Sequence, residues 1–313
     1  MKVLFTHDYG EEKFSEIESL GFEVLYIKEK DLKESDEIYD IDALVCYNPF
    51  GKVDIDKMTN LKLIQLSSIG IDQVPLEKLI GKNTILSNNK GGYSIPMGEW
   101  IVCKILDIYK ESKTIYSNQS EHSWELIKSL EELPGKKVGF IGTGTISTEA
   151  AKRLQGFDVN IKGYSRSGNS KDYFDEVCKV EHLKETIGEL DIVVVAAPLT
   201  DETFHMFDYE LLKLMKDNSV LINVSRGELL VEEDLIDLLE EGKYKGVALD
   251  VVKNEPLSRD SKLWDFSNVH ISSHNSWLSN MRSVRRYNTI LENLKRLVRG
   301  EKLKNIVDIK KGY

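Results

Sequence analysis

The stretch that decides the reading of this chain is Val138-Gly139-Phe140-Ile141-Gly142-Thr143-Gly144-Thr145-Ile146-Ser147. Val138 to Ile141 is an apolar run of the kind that forms a buried strand. It stops at Gly142 and Gly144, and a helical pattern follows through Ala150, Ala151 and Leu154. A strand, a Gly-x-Gly turn and a helix aim unpaired backbone N–H groups at whatever lies above the helix N-terminus. Those donors, with the positive end of the helix dipole, suit a pyrophosphate. Ser147 stands where the dinucleotide fingerprint has its third glycine. That position governs helix–strand packing more than phosphate contact, so a small residue keeps the site. Taken alone, the two glycines are also what an ordinary strand-to-helix turn carries.

Working outward, apolar runs recur along the chain. Upstream lie Lys2 to Thr6, Phe22 to Ile27, Ala43 to Cys46, Leu63 to Leu66 and Thr84 to Leu86. Helical spacing separates most of them, as at Phe14, Ile17 and Leu20. Strands alternating with helices imply a parallel sheet covered on both faces. Downstream of the Gly-x-Gly strand come Val159 to Tyr164, Asp191 to Ala197, Ser219 to Val224, Gly246 to Val251 and Asn268 to Ser272. Residues 208–216 and 231–241 read as helices between them. That makes a second, six-stranded doubly wound unit of the size a dinucleotide needs. Between the units a helix is expected from Pro96 to about Tyr116, with a stripe of Trp100, Ile101, Ile105 and Ile108. It serves as a domain connector and dimer surface, or as an internal core helix. A last amphipathic helix runs from after Ser276 to about Arg299, and Asn305 to Asp308 looks strand-like. That helix comes too late for the second sheet and is expected to return to the first unit.

Composition excludes some classes. The 313 residues carry a net charge of −10, with no basic block, which argues against nucleic acid as a partner. No apolar run approaches membrane length. Cys46, Cys103 and Cys178 are odd in number and widely spaced, so they read as free thiols of a reducing compartment, with no metal motif. A cytoplasmic protein is expected.

Four stretches end strands of the second unit: Ala196-Ala197-Pro198-Leu199-Thr200, Asn223-Val224-Ser225-Arg226-Gly227, Leu249-Asp250 through Glu255-Pro256, and Ser272-Ser273-His274-Asn275. Ligands of open parallel sheets bind at the carboxyl ends of strands. There these stretches supply one arginine, two carboxylates and one histidine. In order and spacing, Gly142-Thr143-Gly144, Pro198-Leu199-Thr200, Asn223 to Gly227, Asp250 with Glu255-Pro256, and Ser273-His274 make the chain resemble the D-isomer-specific 2-hydroxyacid dehydrogenases. The ending Val307-Asp308 to Gly312-Tyr313 is similar too.

The resemblance implies an α/β protein of two doubly wound parallel-sheet domains, with the active site in the cleft between them. Residues 1–95 with 278–313 would form a discontinuous, flavodoxin-like substrate domain, and 96–277 a Rossmann-type dinucleotide-binding domain. It also implies a homodimer and a small 2-oxo or 2-hydroxy acid substrate. Arg226 would grip the substrate carboxylate or its carbonyl oxygen with a fork that keeps its charge. His274 would be the general acid of reduction and the base of oxidation. Glu255 would pair with it, since a neighbouring carboxylate favours the imidazolium form. Asp250 would meet the nicotinamide amide. Gly142, Gly144, Thr145, Ile146, Pro198, Thr203 and Val224 would line the cofactor, and His205 is structural or near it. Ser68, Ile69 and Gly70, in Ser67-Ser68-Ile69-Gly70-Ile71-Asp72, resemble the family's carboxylate-holding loop, with Ser68 in place of its first glycine. Tyr47-Asn48-Pro49 faces the cleft or is a plain turn, Asn88 to Ser94 reads as a hinge, and Trp277 lines the cleft. His7, His122, His182 and His270 have no motif support.

Cofactor choice turns on the end of the second strand of this unit. NAD-binding members place a carboxylate about 20 residues past the glycines. Here Ser165, 21 positions after Gly144, begins Ser165-Arg166-Ser167. A serine and an arginine accept a 2′-phosphate that a carboxylate would repel, so NADP(H) is expected over NAD(H), with NAD use still open. The expected function is hydride transfer between NADP(H) and glyoxylate, hydroxypyruvate or a similar 2-oxo acid. The alternatives are a dinucleotide-sensing binding protein of the same fold, or a formate- or phosphite-type dehydrogenase. A phosphoglycerate dehydrogenase with a regulatory domain is not expected, since the chain stops soon after the last helix.

Overall fold

A computed structural model of the chain describes residues 1–311; Gly312 and Tyr313, part of the ending noted above, lie outside the described residues. The chain divides into two compact units, Met1–Tyr93 with the segment from Ser279 onward, and Ser94–Leu278.

The first unit is built on β1 (Lys2–Phe5), β2 (Glu23–Tyr26), β3 (Ala43–Cys46), β4 (Leu63–Leu66) and β5 (Ile85–Ser87), with α1 (Glu11–Glu18) and α2 (Asp36–Tyr39) between strands. All five strands are parallel, in the order β2-β1-β3-β4-β5. β3 and β4 are buried throughout, which is why they read as unbroken apolar runs rather than alternating ones.

The second unit begins with α3 (Ser94–Tyr109) and α4 (Ser112–Ser120). One continuous helix was expected here. Glu111, at φ 48°, ψ 45°, takes the left-handed conformation and breaks it in two. α3 is a core helix of its unit. A methyl group on Gly98 would come within 2.9 Å of the Ala150 backbone, and one on Gly246 within 2.6 Å of Ile108. The missing side chains let the helix lie close to its neighbours.

The sheet of this unit comprises β6 (Lys137–Ile141), β7 (Asn160–Ser165), β8 (Glu176–Lys179), β9 (Ile192–Val195), β10 (Ser219–Asn223), β11 (Tyr244–Leu249) and β12 (Val269–Ile271). Its helices are α5 (Thr145–Leu154), α6 (Leu183–Thr186), α7 (Tyr209–Leu214) and α8 (Glu232–Glu240). The order is β12-β11-β10-β9-β6-β7-β8, all parallel. Seven strands replace the six expected. β8 carries exposed charges at both ends around half-buried Val177 and Cys178, so as an edge strand it shows no apolar run. The order reverses direction between β6 and β9, the switch point where such sheets take dinucleotides.

α9 (Arg282–Arg299) returns to the first unit, where Tyr287, Ile290, Leu291 and Leu294 pack with Val3, Phe5 and Ile17. The buried amide of Asn293 donates to Gln65 Oε1 (2.6 Å) and Ser87 Oγ (2.9 Å). Asn305 to Asp308 is not a strand: a single antiparallel bridge joins Ser87 to Ile306, and Asn305, at φ 54°, turns the chain out of extended geometry.

His270 on β12 gives the second unit a pH dependence. Burial lowers its pKa to about 4, the Lys113 and Lys104 charges push the same way, and Asp107 opposes them. The unfolded histidine takes up its proton near pH 6.5. Stability is therefore lost as pH falls from about 6.5 toward 4. Urea unfolding should show about 1 kcal/mol less stability at pH 4.5 than at pH 7 from this residue, discounted for the solvent around a partly buried ring. His270→Gln should flatten that difference.

Candidate active site

β6 ends where its backbone must turn sharply. Gly142 sits at φ 97°, and a methyl group there would meet the Ala196 carbonyl oxygen at 2.7 Å. Only glycine meets both demands. Gly144 is the N-cap of α5, no side chain caps that helix, and the space around Gly144 is open. Ser147 is fully buried and its Oγ donates to the Gly142 carbonyl at 2.6 Å, tying helix to turn. An open glycine facing an uncapped helix N-terminus, with Thr145 and Ile146 in its first turn, fits a dinucleotide pyrophosphate.

Arg226, Glu255 and His274 follow β10, β11 and β12, three neighbouring strands, and share the carboxyl edge of one sheet. His274 Nδ1 lies 2.8 Å from Glu255 Oε2, both side chains about two-fifths exposed. His274 is at φ 50°, an uncommon conformation for a non-glycine residue. Its N–H donates to the Asp250 carbonyl at 2.8 Å. The buried Asp250 carboxylate accepts from Ser272 Oγ (2.5 Å) and from the N–H groups of Asn275 (2.9 Å) and Ser276 (3.1 Å). Asp250 thus organises the loop that carries His274. Trp277 Nε1 closes the same loop on the His274 carbonyl at 2.7 Å.

Arg226 is held as firmly. Its carbonyl accepts from Asn223 Nδ2 at 2.9 Å, and its Nη1 donates to the Ser225 carbonyl at 2.8 Å. Ser225 Oγ donates to the Ala197 carbonyl. A methyl group on Gly227 would overlap the Val252 carbonyl carbon at 2.0 Å. The glycine therefore lets the arginine loop lie against the loop that leads to Glu255.

The remaining positions differ in what they offer. Thr203 Oγ1 accepts from the Thr200 N–H (2.8 Å) and donates to the Pro198 carbonyl (2.7 Å), so its hydroxyl braces the turn. Val224 is buried beside it in the sheet. His205 stacks on Phe204, with ring centroids 3.9 Å apart. Ser165 Oγ accepts from the Gly168 N–H at 3.1 Å, and the exposed Arg166 pairs with Glu202 at 3.3 Å. Ser167 Oγ accepts from the Asn169 N–H at 3.3 Å. The register of β7 and β8 sets Lys179 opposite Ser165. Sequence reading missed this lysine because it missed its strand; a short charged run ending in Lys179 before Val180 was the available signal.

In the first unit, the Ser67 to Gly70 loop has every carbonyl engaged. Tyr93 OH donates to Ser67, Asn89 N–H to Ser68 (2.8 Å), Asn88 Nδ2 to Ile69 (2.9 Å) and Ser68 Oγ to Gly70 (2.8 Å). The N–H groups of Ser68, Ile69 and Gly70 have no partner among the described residues. Successive free N–H groups form a cradle for an anion. Gln73 Nε2 ties the loop to the Tyr47 turn, at 3.1 Å from Ser68 Oγ and 3.0 Å from the Tyr47 carbonyl.

A seven-stranded parallel sheet with a Gly-x-Gly turn at its switch point, and an arginine and a carboxylate-paired histidine on adjacent strand ends, defines a dinucleotide-dependent α/β oxidoreductase. Residues 102–276 match the model of the NAD-binding domain of the D-isomer-specific 2-hydroxyacid dehydrogenases. The chain belongs to that family, whose members are NAD(P)-dependent oxidoreductases of 2-hydroxy acids. It is similar to a glyoxylate reductase of Thermofilum pendens, 32% identical over 247 residues, covering 76% of this chain and 72% of that one. Among solved structures it is similar to a family member from Xanthobacter autotrophicus in complex with NADPH and MES, with a TM-score of 0.85, 25% identity, and 100% and 99% of the two chains covered. An NADPH-dependent glyoxylate/hydroxypyruvate reductase from Sinorhizobium meliloti, in complex with NADP and sulfate, gives a TM-score of 0.81 at 25% identity, with 100% and 99% covered. Among the described residues no helix is long and apolar enough to cross a membrane.

Proposed function

We propose that the chain is an NADP(H)-dependent reductase of a small 2-oxo acid, glyoxylate, hydroxypyruvate or a near relative, yielding the D-2-hydroxy acid. The observation that carries the reading is the 2.8 Å pair between His274 Nδ1 and Glu255 Oε2, on the sheet edge that also holds Arg226. A nicotinamide dinucleotide, when bound, supplies the hydride. His274 holds the proton that the carbonyl oxygen needs as it becomes an alcohol. Glu255 orients the ring and offsets its charge. Arg226 meets the negative end of the substrate with a planar pair of donors. The N–H groups of Ser68, Ile69 and Gly70 offer a second set of donors of the kind that holds a carboxylate. Asp250 acts by holding the His274 loop. The names of the relatives point to the same substrates. The test is NADPH oxidation across a panel of 2-oxo acids, run in parallel with NADH. Turnover with glyoxylate or hydroxypyruvate is expected, and none with any member, in folded protein, rejects the reading. A pure dinucleotide sensor would have no use for the Glu255–His274 pair.

NADP(H) is preferred in this reading because Ser165, Arg166, Ser167 and Lys179 gather hydroxyls and positive charge where an NAD enzyme has a carboxylate. Ser165→Asp should lower kcat/KM for NADPH by about 10-fold or more, through repulsion of the 2′-phosphate in a partly exposed site. NADH kinetics should change far less. A wild-type preference for NADH removes the assignment.

A homodimer and a cytoplasmic location complete the proposal. Ile115, Tyr116, Trp124, Leu126 and Leu130 are exposed along one segment, Trp124 completely. An apolar run of that kind marks a protein interface, and a second copy is the expected occupant. Light scattering should find a dimer, and Trp124→Glu with Leu126→Glu a monomer. Three unpaired cysteines fit a reducing compartment.

A further inference from the structure

The first unit holds a cation that its own residues leave unanswered. Arg286 is partly buried in the second turn of α9. Its side chain has no carboxylate and no hydrogen-bond acceptor among the described residues, and its Nε is buried without a partner. The guanidinium lies over the Tyr9 ring, 5.4 Å from the centroid. Tyr9 is only 9% exposed, and its hydroxyl is likewise buried and unpartnered. Burial raises the pKa of both Tyr9 and Tyr93, and the nearby Arg286 charge opposes it in each. The nearest acidic groups are spoken for: Glu29 accepts from Thr6 Oγ1 and the Tyr47 and Asn48 N–H groups, and Asp8 from the Gly10 N–H.

The surroundings sharpen the point. The first turn of α9 contains no acidic residue and no side-chain cap, yet Arg282 and Arg285 stand in it, against the preference of a helix N-terminus for negative charge. Arg285 is used internally, its Nε donating to the Gly92 carbonyl at 3.1 Å. An arginine kept half out of water without an anion is costly. Arg286 Nε and Tyr9 OH are both donors, so what the place lacks is an acceptor. Tyr93 links it to the Ser68–Gly70 cradle, because the phenol that feels Arg286 also donates to the Ser67 carbonyl. Both features therefore lie at the carboxyl edge of the first unit's sheet, where α/β folds take ligands.

We infer that Arg286, set over Tyr9 beside the Ser68–Gly70 cradle, receives a second anionic group on the substrate, a carboxylate or phosphate distal to the reacting carbon. This rests on the 2-oxo acid reading and narrows it. One carboxylate already has the Ser68–Gly70 N–H groups and Arg226, so a further cation selects a doubly anionic substrate.

The experiment compares matched pairs: 3-phosphohydroxypyruvate against hydroxypyruvate, and oxaloacetate against pyruvate. For at least one pair, wild type should show kcat/KM about 10-fold or more higher for the compound with the extra anion, the scale of one charge-assisted contact. Arg286→Gln should bring that ratio close to one, and Arg286→Lys should keep part of it. Which pair responds separates phosphate from carboxylate. A wild-type preference for the uncharged members, or a ratio that folded Arg286→Gln leaves unchanged, overturns the inference. Thermal stabilisation by phosphate and malonate, read without turnover, separates the two failures. If no 2-oxo acid is reduced but either anion still raises the Tm of wild type and not of Arg286→Gln, the anion site stands and the activity reading falls. If no 2-oxo acid is reduced and neither anion discriminates between the two proteins, the site falls as well.

Discussion

His274→Ala is expected to lower kcat for 2-oxo acid reduction by about 1,000-fold or more, the upper part of what a positioned general acid contributes. Reduction puts negative charge on a carbonyl oxygen, and without a proton donor beside it that charge has to be met by water. The ring is fixed from several directions. Its Nδ1 faces Glu255 Oε2 at 2.8 Å, its backbone N–H is bound to the Asp250 carbonyl, and its φ of 50° is imposed by a loop wrapped around the Asp250 carboxylate. With Nδ1 engaged, Nε2 is the nitrogen left for substrate. Glu255→Gln keeps a hydrogen bond but removes the charge that favours imidazolium. It should cost about 10- to 100-fold in kcat with little change in KM, less than loss of the acid itself. NADPH binding, followed by fluorescence titration, should survive both changes, because neither side chain belongs to the Gly142–Gly144 turn. A His274→Ala protein that binds NADPH and still turns over within about 10-fold of wild type would remove the histidine from the chemistry.

The sequence disclosed most of this wherever a residue's role is local. The β6 turn was readable because Gly142 answers a backbone demand, a positive φ and a close carbonyl, that no other residue meets. β9 and β10 were readable because strands buried on both faces cannot hide their apolar runs. β8 was not, since an edge strand has one wet side and Glu176 and Lys179 break any periodicity. The break between α3 and α4 escaped as well. Lys110-Glu111 contains neither glycine nor proline, and only tertiary packing puts Glu111 in the left-handed region. Asp250 looked like a cofactor contact, and the structure adds what spacing cannot show: four hydrogen bonds from the loop that carries His274. Arg286 was invisible for a related reason. In a stretch reading Arg285-Arg286-Tyr287, nothing local says that one arginine is spent on a loop carbonyl and the next is left over an aromatic ring.

Arg226 carries the second large effect, and its variants decide between the two jobs open to it. Arg226→Gln removes the charge and the fork, and kcat/KM should fall by about 1,000-fold, comparable with loss of a preorganised donor at a developing oxyanion together with a charge. Arg226→Lys keeps the charge but not the planar pair of donors, and about 100-fold is expected. The scaffold should tolerate both, because the arginine loop is set by Asn223, Ser225 and the Gly227–Val252 backbone contact rather than by the guanidinium. The split between constants then reports the role. If the guanidinium grips the substrate carboxylate equally in ground and transition states, the loss falls on KM and kcat holds. If it faces the carbonyl oxygen, its contact strengthens as charge grows there, and the loss falls on kcat. The Ser68–Gly70 cradle, with three unpartnered N–H groups, already offers a carboxylate its donors, so the larger part of the loss is expected in kcat. A folded Arg226→Gln protein with both constants near wild type would take the arginine out of the site altogether.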